Sequence, residues 1–120
     1  MSALPAAAKD CKIGHPDKLV LISWSSKPGK LGPYIEFAFR SDMSKSTRSI
    51  DATLVFEGVE GSELANLKLD PDIKIAAGET KTMKDAMIAG DLLEATASEN
   101  VIAKICTRSV EFDDGTFSDF

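Results

Sequence analysis

Apolar and polar side chains alternate one by one in two segments of this chain, and this pattern constrains its fold more than any other feature. In residues 34–41 every second side chain is large and apolar: Ile35, Phe37 and Phe39. In residues 50–57 the same holds for Ile50, Ala52, Leu54 and Phe56. A period of two places one set of side chains in the core and the other in water. Both segments are therefore predicted to be half-buried β-strands.

Further strand patterns are separated by regular turn signals. Segments 18–25 and 101–112 are long and rich in β-branched and apolar residues, and shorter strands are predicted at 64–69 and around 73–75. Glycine and proline clusters interrupt these runs at intervals of about 8–12 residues, a spacing typical of a sandwich or barrel. No alternation of strand and helix is present, which disfavours a parallel α/β sheet. The pattern predicts an all-β, antiparallel sandwich of two sheets and about seven strands.

The length of 120 residues fits one domain. Residues 1–17 lack periodicity and are predicted to form an N-terminal arm, and residues 18–120 to form the sandwich. Residues 80–88 fit either a strand or a helix, and 91–95 fit one helical turn. In the first strand, the core face is expected to carry Val20, Ile22 and Trp24. The predicted core comprises Trp24, Ile35, Phe37, Phe39, Leu54, Phe56, Ile102 and Val110.

The charge balance disfavours two classes of partner. The net charge is −5, and the 14 basic side chains are scattered along the chain. Proteins that bind nucleic acid usually present a basic face that neutralises phosphates, so no nucleic-acid partner is expected. The same acidity disfavours adhesion to anionic membranes. No apolar run approaches the roughly 20 residues of a membrane helix, so no membrane span is predicted.

The two cysteines, Cys11 and Cys106, lie near the start of the chain and in its last long strand. In an oxidising compartment they could form a disulfide that ties the arm to this strand; in a reducing one they would remain two buried thiols. The small residues at 6–8 resemble the end of a secretory signal peptide, although the regions that normally precede such an end are absent. These features favour a disulfide and a periplasmic or secreted location.

A characteristic order of segments runs through most of the chain: YIEFAFRSDMSKSTRSIDATLVFE, a glycine turn and a leucine-rich strand, the IAAGET turn and the closing VEFDDGT. This order is similar to that of small bacterial immunoglobulin-like and fibronectin-III-like domains. Ala77 stands where the corresponding turn often carries proline. The resemblance implies an immunoglobulin-like sandwich, mostly non-catalytic and often exported, and it supplies no catalytic residues.

The residues offer little support for catalysis. The single histidine, His15, lies in the arm and could pair with Cys11 only there. A nucleophile and its base need a rigid scaffold, so an exposed histidine without a catalytic role is the preferred interpretation. No cofactor is expected, and the chain is not predicted to be an enzyme.

Acidic turns offer an alternative function, calcium or small-ligand binding. Asp113, Asp114 and Asp119 cluster near the end of the chain, and Asp70 and Asp72 flank a proline. Calcium requires six to eight oxygen ligands, more than either group supplies alone. The leading hypothesis is a non-catalytic, exported module that binds a protein partner through its sheet edges and loops. Residues 80–87 are the preferred edge, and loops 27–33 and 42–49 are expected at the sandwich ends.

Overall fold

The protein is described by a computed structural model that covers residues 11–30, 33–87, 93 and 96–120. Seven strands are present in these ranges, together with a short 3-10 turn at Ser98–Asn100. The strands are β1 (Leu19–Lys27), β2 (Tyr34–Ser41), β3 (Thr47–Gly58), β4 (Glu63–Lys68), β5 (Thr80–Met87), β6 (Val101–Phe112) and β7 (Phe117–Asp119).

The strands form two antiparallel sheets. One has the order β1-β2-β5 and the other the order β4-β3-β6-β7. Every pair of neighbouring strands in both sheets is antiparallel. The prediction of an all-β fold with two antiparallel sheets is therefore confirmed.

The strands with strict alternation supply the centre of the core. In β2, Ile35, Phe37 and Phe39 are buried, while the residues between them are half-buried. The alternate apolar positions of β3 are also buried: Ile50, Ala52, Leu54 and Phe56. Trp24 packs its ring edge-on against Phe56, with 4.9 Å between ring centroids. Because the two sheets bury facing apolar sets, the alternation predicts both the strands and the core.

The first strand contains a β-bulge that corrects its predicted core face. Leu21 pairs with Phe39 and Ser23 with Ala38, which leaves Ile22 as an extra residue. A bulge shifts the alternation by one position. Leu19 is consequently buried, Leu21 and Trp24 pack against the core, and Ile22 is 49% exposed. The prediction that Val20 and Ile22 belong to the core was wrong, and the prediction for Trp24 is confirmed.

A second bulge lies in β6 at Arg108, between the pairs Ala52–Thr107 and Asp51–Ser109. It allows Ile105 and Val110, five positions apart, to be buried on the same face. Ile102 pairs with Glu57 and is only half-buried, so its assignment to the core was wrong. Ile105, which is fully buried, lies at the core position before the bulge instead.

The short strand predicted around 73–75 is a connecting segment instead. Ile73 and Ile75 are buried but lie outside any strand; the carbonyl of Ile75 accepts a hydrogen bond from the Thr47 backbone N–H at 3.0 Å. Residues 80–87 are strand β5, which resolves the earlier choice between strand and helix for these positions. The helical turn predicted at 91–95 lies outside the described residues except for Leu93, which is buried. The first ten residues of the predicted arm also lie outside them.

Candidate functional site

The N-terminal arm is fastened to the four-stranded sheet by a disulfide between Cys11 and Cys106, whose Cα atoms are 5.8 Å apart. Two backbone hydrogen bonds join His15 and Thr107, at 2.9 and 3.0 Å, and add an isolated bridge to β6. Gly14 lies so close to this strand that a Cβ atom there would be 2.5 Å from the Thr107 carbonyl oxygen. The predicted disulfide is confirmed, and the arm follows a defined path beyond it.

The contacts of His15 do not form a nucleophile–base pair with Cys11. The Cys11 sulfur is bonded to Cys106 and supplies no thiolate. The His15 ring instead lies edge-on to Phe120, 6.4 Å between centroids, and its Nδ1 is 3.6 Å from the Asp17 carboxylate. The imidazole is 56% exposed. This environment holds the arm against the end of the chain.

The acidic turn after β6 is organised by its own hydrogen bonds. The Asp114 carboxylate accepts hydrogen bonds from the backbone N–H and the hydroxyl of Thr116, and from the Lys45 ammonium at 3.0 Å. These donors stabilise the charged carboxylate and hold the pKa of Asp114 well below its usual range. The carbonyl of Asp113 accepts a hydrogen bond from Arg48 at 2.9 Å. The turn is thereby joined to the 42–46 loop and the start of β3.

Asp119, the third residue of the predicted calcium site, lies on β7 and pairs with Ser109. Within the described part of the chain, no group of three or more His, Cys, Asp or Glu side chains could hold a metal ion. Lys45 and Thr116 already occupy the Asp114 oxygens. The calcium site remains a prediction.

A second charged pair borders this end of the sandwich. The Arg40 guanidinium donates hydrogen bonds to both Asp42 oxygens, at 2.8 and 3.4 Å. This contact lowers the pKa of Asp42 and raises that of Arg40. Asp42 lines a depression of about 380 Å³ whose walls include Lys18, Phe112 and Phe120. The Lys18 ammonium lies 4.9 Å from the centroid of the Phe120 ring. Cations thus already contact Asp42 and Phe120 in this depression.

The outer face of the four-stranded sheet carries a shallow groove of about 300 Å³ beside the arm. Its lining includes two ion pairs, Lys68–Asp51 at 2.6 Å and Lys104–Glu57 at 3.0 Å. The Lys104 and Glu57 side chains are only 9% and 15% exposed. The chain sequence did not predict this pair, because it depends on the register of β3 against β6. Since the groove charges pair with one another, the groove offers few free charges to a ligand.

The sheet edges differ in how well they are protected against pairing with another chain. In the four-stranded sheet, β7 has only three residues, and β4 carries Glu63 and Lys68 at its ends. Short strands and charged side chains are common devices that prevent edge-to-edge association. These two edges therefore suit a partner strand poorly.

The three-stranded sheet has longer edges. β5 spans eight residues and carries Lys81 and Lys84. The register of its pairing with β2 shifts between Ile35 and Phe37. β1 spans nine residues and has no charged side chain before Lys27. Neither strand has a second strand partner in the part of the chain that the structure describes. The structure thus confirms that residues 80–87 form a sheet edge, and it adds β1, whose sequence pattern predicts only a core strand.

The structure shows no helix long and apolar enough to cross a membrane in the residues it covers. Comparisons with protein-family models, with curated proteins and with solved structures found no match.

Proposed function

We propose that this protein is a non-catalytic, exported binding module that recognises a protein partner through a sheet edge and the neighbouring loops. The observation that carries the proposal is the pair of long edges, β1 and β5, on the three-stranded sheet. An edge strand presents backbone N–H and C=O groups that an extended segment of a partner can pair with. The paired charges elsewhere on the surface favour an edge over the groove.

The β5 edge is the proposed site for the protein partner. Lys84 is exposed on it, and Lys81 lies near its start, 3.5 Å from Glu79. Cross-strand pairs of opposite charge stabilise a sheet, whereas like charges directly opposite each other destabilise it. A partner strand with an acidic residue opposite Lys84 would therefore pair more favourably than one with a basic residue there. These charges select among partner strands as well as limiting non-specific pairing.

The strand order also supports an immunoglobulin-like or fibronectin-III-like sandwich. Strands β1, β2 and β5 form one sheet, so the chain passes to the other sheet after β2 and returns for β5. It passes over again to add β6 beside β3 and then β7 beside β6. Crossing connections of this type are characteristic of sandwiches in that group. Many such domains bind proteins through edges and end loops, which agrees with the proposed role.

The disulfide supports export. Structural disulfides persist in oxidising compartments such as the periplasm or the extracellular space and are rare in the cytosol. The Cys11–Cys106 bond joins two cysteines that are 95 positions apart in the sequence and attaches the arm to the central part of β6. A periplasmic or secreted location would keep this connection intact.

The proposal can be tested by site-specific photo-crosslinking in the native host. A photoreactive amino acid is placed at Thr82 on β5 and, as a matched control, at Thr53 on the central strand β3. We expect a discrete adduct with one protein from Thr82 and none from Thr53, since only the edge position would lie beside a bound strand. Adducts from Thr53 alone, or from neither position, would contradict binding at the β5 edge.

A further inference from the structure

The edge of β1 differs from the other three in its chemistry. From Leu19 to Ser26 it has neither a charged residue nor a proline, the two side-chain devices that commonly block edge pairing. Its single irregularity is the bulge at Ile22. The Ile22 side chain is 49% exposed, although it belongs to one of the most commonly buried residue types. Among the described residues, β1 therefore combines a backbone edge that has no second strand partner with an exposed apolar side chain at its middle.

We infer that β1 binds a second copy of this chain by antiparallel pairing with its own counterpart. With the two-fold axis at Ile22, residues 19–21 of one copy lie opposite residues 23–25 of the other. None of these residues is charged, so the symmetric pairing brings no like charges directly opposite each other. The two Ile22 side chains become neighbours across the axis and cover each other.

The bulge is compatible with this arrangement because it lies at the axis. A bulge twists its strand and interrupts regular pairing locally. Placing it at the centre leaves a regular segment on each side, Leu19–Leu21 and Ser23–Ser25, and each pairs with the other segment of the second copy. The charged residue Lys27 lies beyond these segments, and its ammonium is 3.4 Å from Glu36 of its own sheet. The dimer would join two three-stranded sheets into one of six strands.

The second copy is a better occupant than an unrelated chain because the edge is self-complementary. An isologous interface requires that the same patch fit itself, and a neutral strand with a central apolar residue meets this requirement. An interface made by one pair of edge strands would belong to the small, transient class, which buries less than about 1,200 Å² in total. The dimer should consequently be reversible, with a dimer fraction that rises with concentration.

Sedimentation equilibrium of the purified full chain tests this inference. We expect a monomer–dimer equilibrium for the natural sequence at concentrations up to about 1 mM. Ile22→Lys should raise the dissociation constant at least about tenfold, because it places two ammonium groups side by side at the axis. Phe117→Lys is the matched control: Phe117 is an apolar residue on edge strand β7 and is 62% exposed. It should leave the dissociation constant unchanged.

Two additional measurements test whether the variants fold and whether the dimer forms at β1. Circular dichroism checks that each variant is folded. If Ile22→Lys does not fold, Ser25→Lys, at an exposed position of β1, takes its place. Amide hydrogen exchange should show protection of β1 that rises with protein concentration, while protection of β5 stays constant. A monomer at every concentration, or a dimer weakened by Phe117→Lys and not by the β1 variants, would overturn the inference. Either result would leave the proposed partner site on β5 standing, since the Thr82 crosslink reports on it separately.

Discussion

Cys11 and Cys106 are bonded to each other across 95 residues of chain, so that the arm before the first strand is attached to the middle of β6. The bond lies on the outer face of the four-stranded sheet, beside Lys12 and Ile13, which border the groove there. Hydrogen bonds between His15 and Thr107 continue the attachment toward β1. The arm is therefore part of the folded domain from Cys11 onward.

Removing this disulfide should destabilise the protein substantially. Replacing both cysteines by serine is expected to lower the free energy of unfolding by about 2–5 kcal/mol, since the bond limits the conformations of the unfolded chain. Urea unfolding monitored by Trp24 fluorescence measures the change, and reduction of the natural protein provides an independent comparison. Equal stability with and without the bond would contradict a structural role for it.

Phe56 should be among the most sensitive core positions. Its side chain is fully buried and contacts Trp24, which comes from the other sheet. Phe56→Ala is expected to cost about 3–5 kcal/mol of stability, because it leaves a cavity between the sheets. Phe117→Ala, which truncates a 62% exposed ring, should change stability by no more than about 0.5 kcal/mol. Similar losses for both variants in urea unfolding would show that Phe56 does not join the two sheets.

Alanine substitutions at two glycines with the same backbone conformation distinguish the cost of backbone strain from the cost of a steric clash. Gly14 and Gly115 have φ angles of 88° and 87°. A Cβ atom on Gly115 would meet nothing within 4 Å, whereas one on Gly14 would collide with the Thr107 carbonyl. Gly115→Ala should therefore cost about 1–2 kcal/mol from strain alone, and Gly14→Ala clearly more. The difference, measured by thermal or urea unfolding, reports how tightly the arm is held. Equal costs would show that the arm yields freely at Gly14.

The Asp114 turn should contribute a pH-dependent part of the stability. The pKa of Asp114 is lowered in the folded protein by hydrogen bonds from Thr116 and Lys45. Its contribution is then fully present above the unfolded value of about 3.9 and is lost as the pH falls toward the lower folded value. The stability difference between the natural protein and Asp114→Asn should be larger at neutral pH than in strong acid. Urea unfolding at several pH values tests this, and a difference that is constant with pH would contradict it.

A second variant identifies the donor that matters most. Thr116→Val removes the hydroxyl that donates to the Asp114 carboxylate but keeps the backbone N–H donor. The pKa of Asp114 should rise toward its ordinary value in this variant, because one of its stabilising hydrogen bonds is lost. Carboxyl chemical shifts followed by NMR titration measure the change. An unaltered titration would assign the low pKa to the remaining donors.

Regular alternation made β2 and residues 50–57 of β3 predictable, because every second side chain in them is apolar and faces the core. The strands with bulges were harder. The extra residues Ile22 in β1 and Arg108 in β6 move the following side chains to the other face. The near-continuous apolar start of segment 101–112 allows for a bulge that redirects its second half, but the composition does not mark where the bulge lies. Parity therefore places Ile22 and Ile102 in the core, and both positions are wrong.

Whether a site residue could be predicted also depended on whether its contact follows from local sequence or from the strand order. The cysteine pair could be proposed from its chemistry, without knowledge of the strand order. The Lys104–Glu57 pair, 47 residues apart, depends on the register of β3 against β6 and could not. The open edge of β1 likewise follows from the sheet order, since its residues read as an ordinary core strand.

The β5 edge, rather than a sheet face, is the proposed binding site for the protein partner. Once the partner crosslinked at Thr82 is identified by mass spectrometry, calorimetry can measure its affinity for the natural protein, for Lys84→Glu and, as a control, for Lys68→Glu on β4. We expect Lys84→Glu to weaken binding about tenfold, through repulsion of an acidic partner strand, and Lys68→Glu to change it little. An affinity unaffected by Lys84→Glu but reduced by Lys68→Glu would place binding on the other sheet and refute the β5 site.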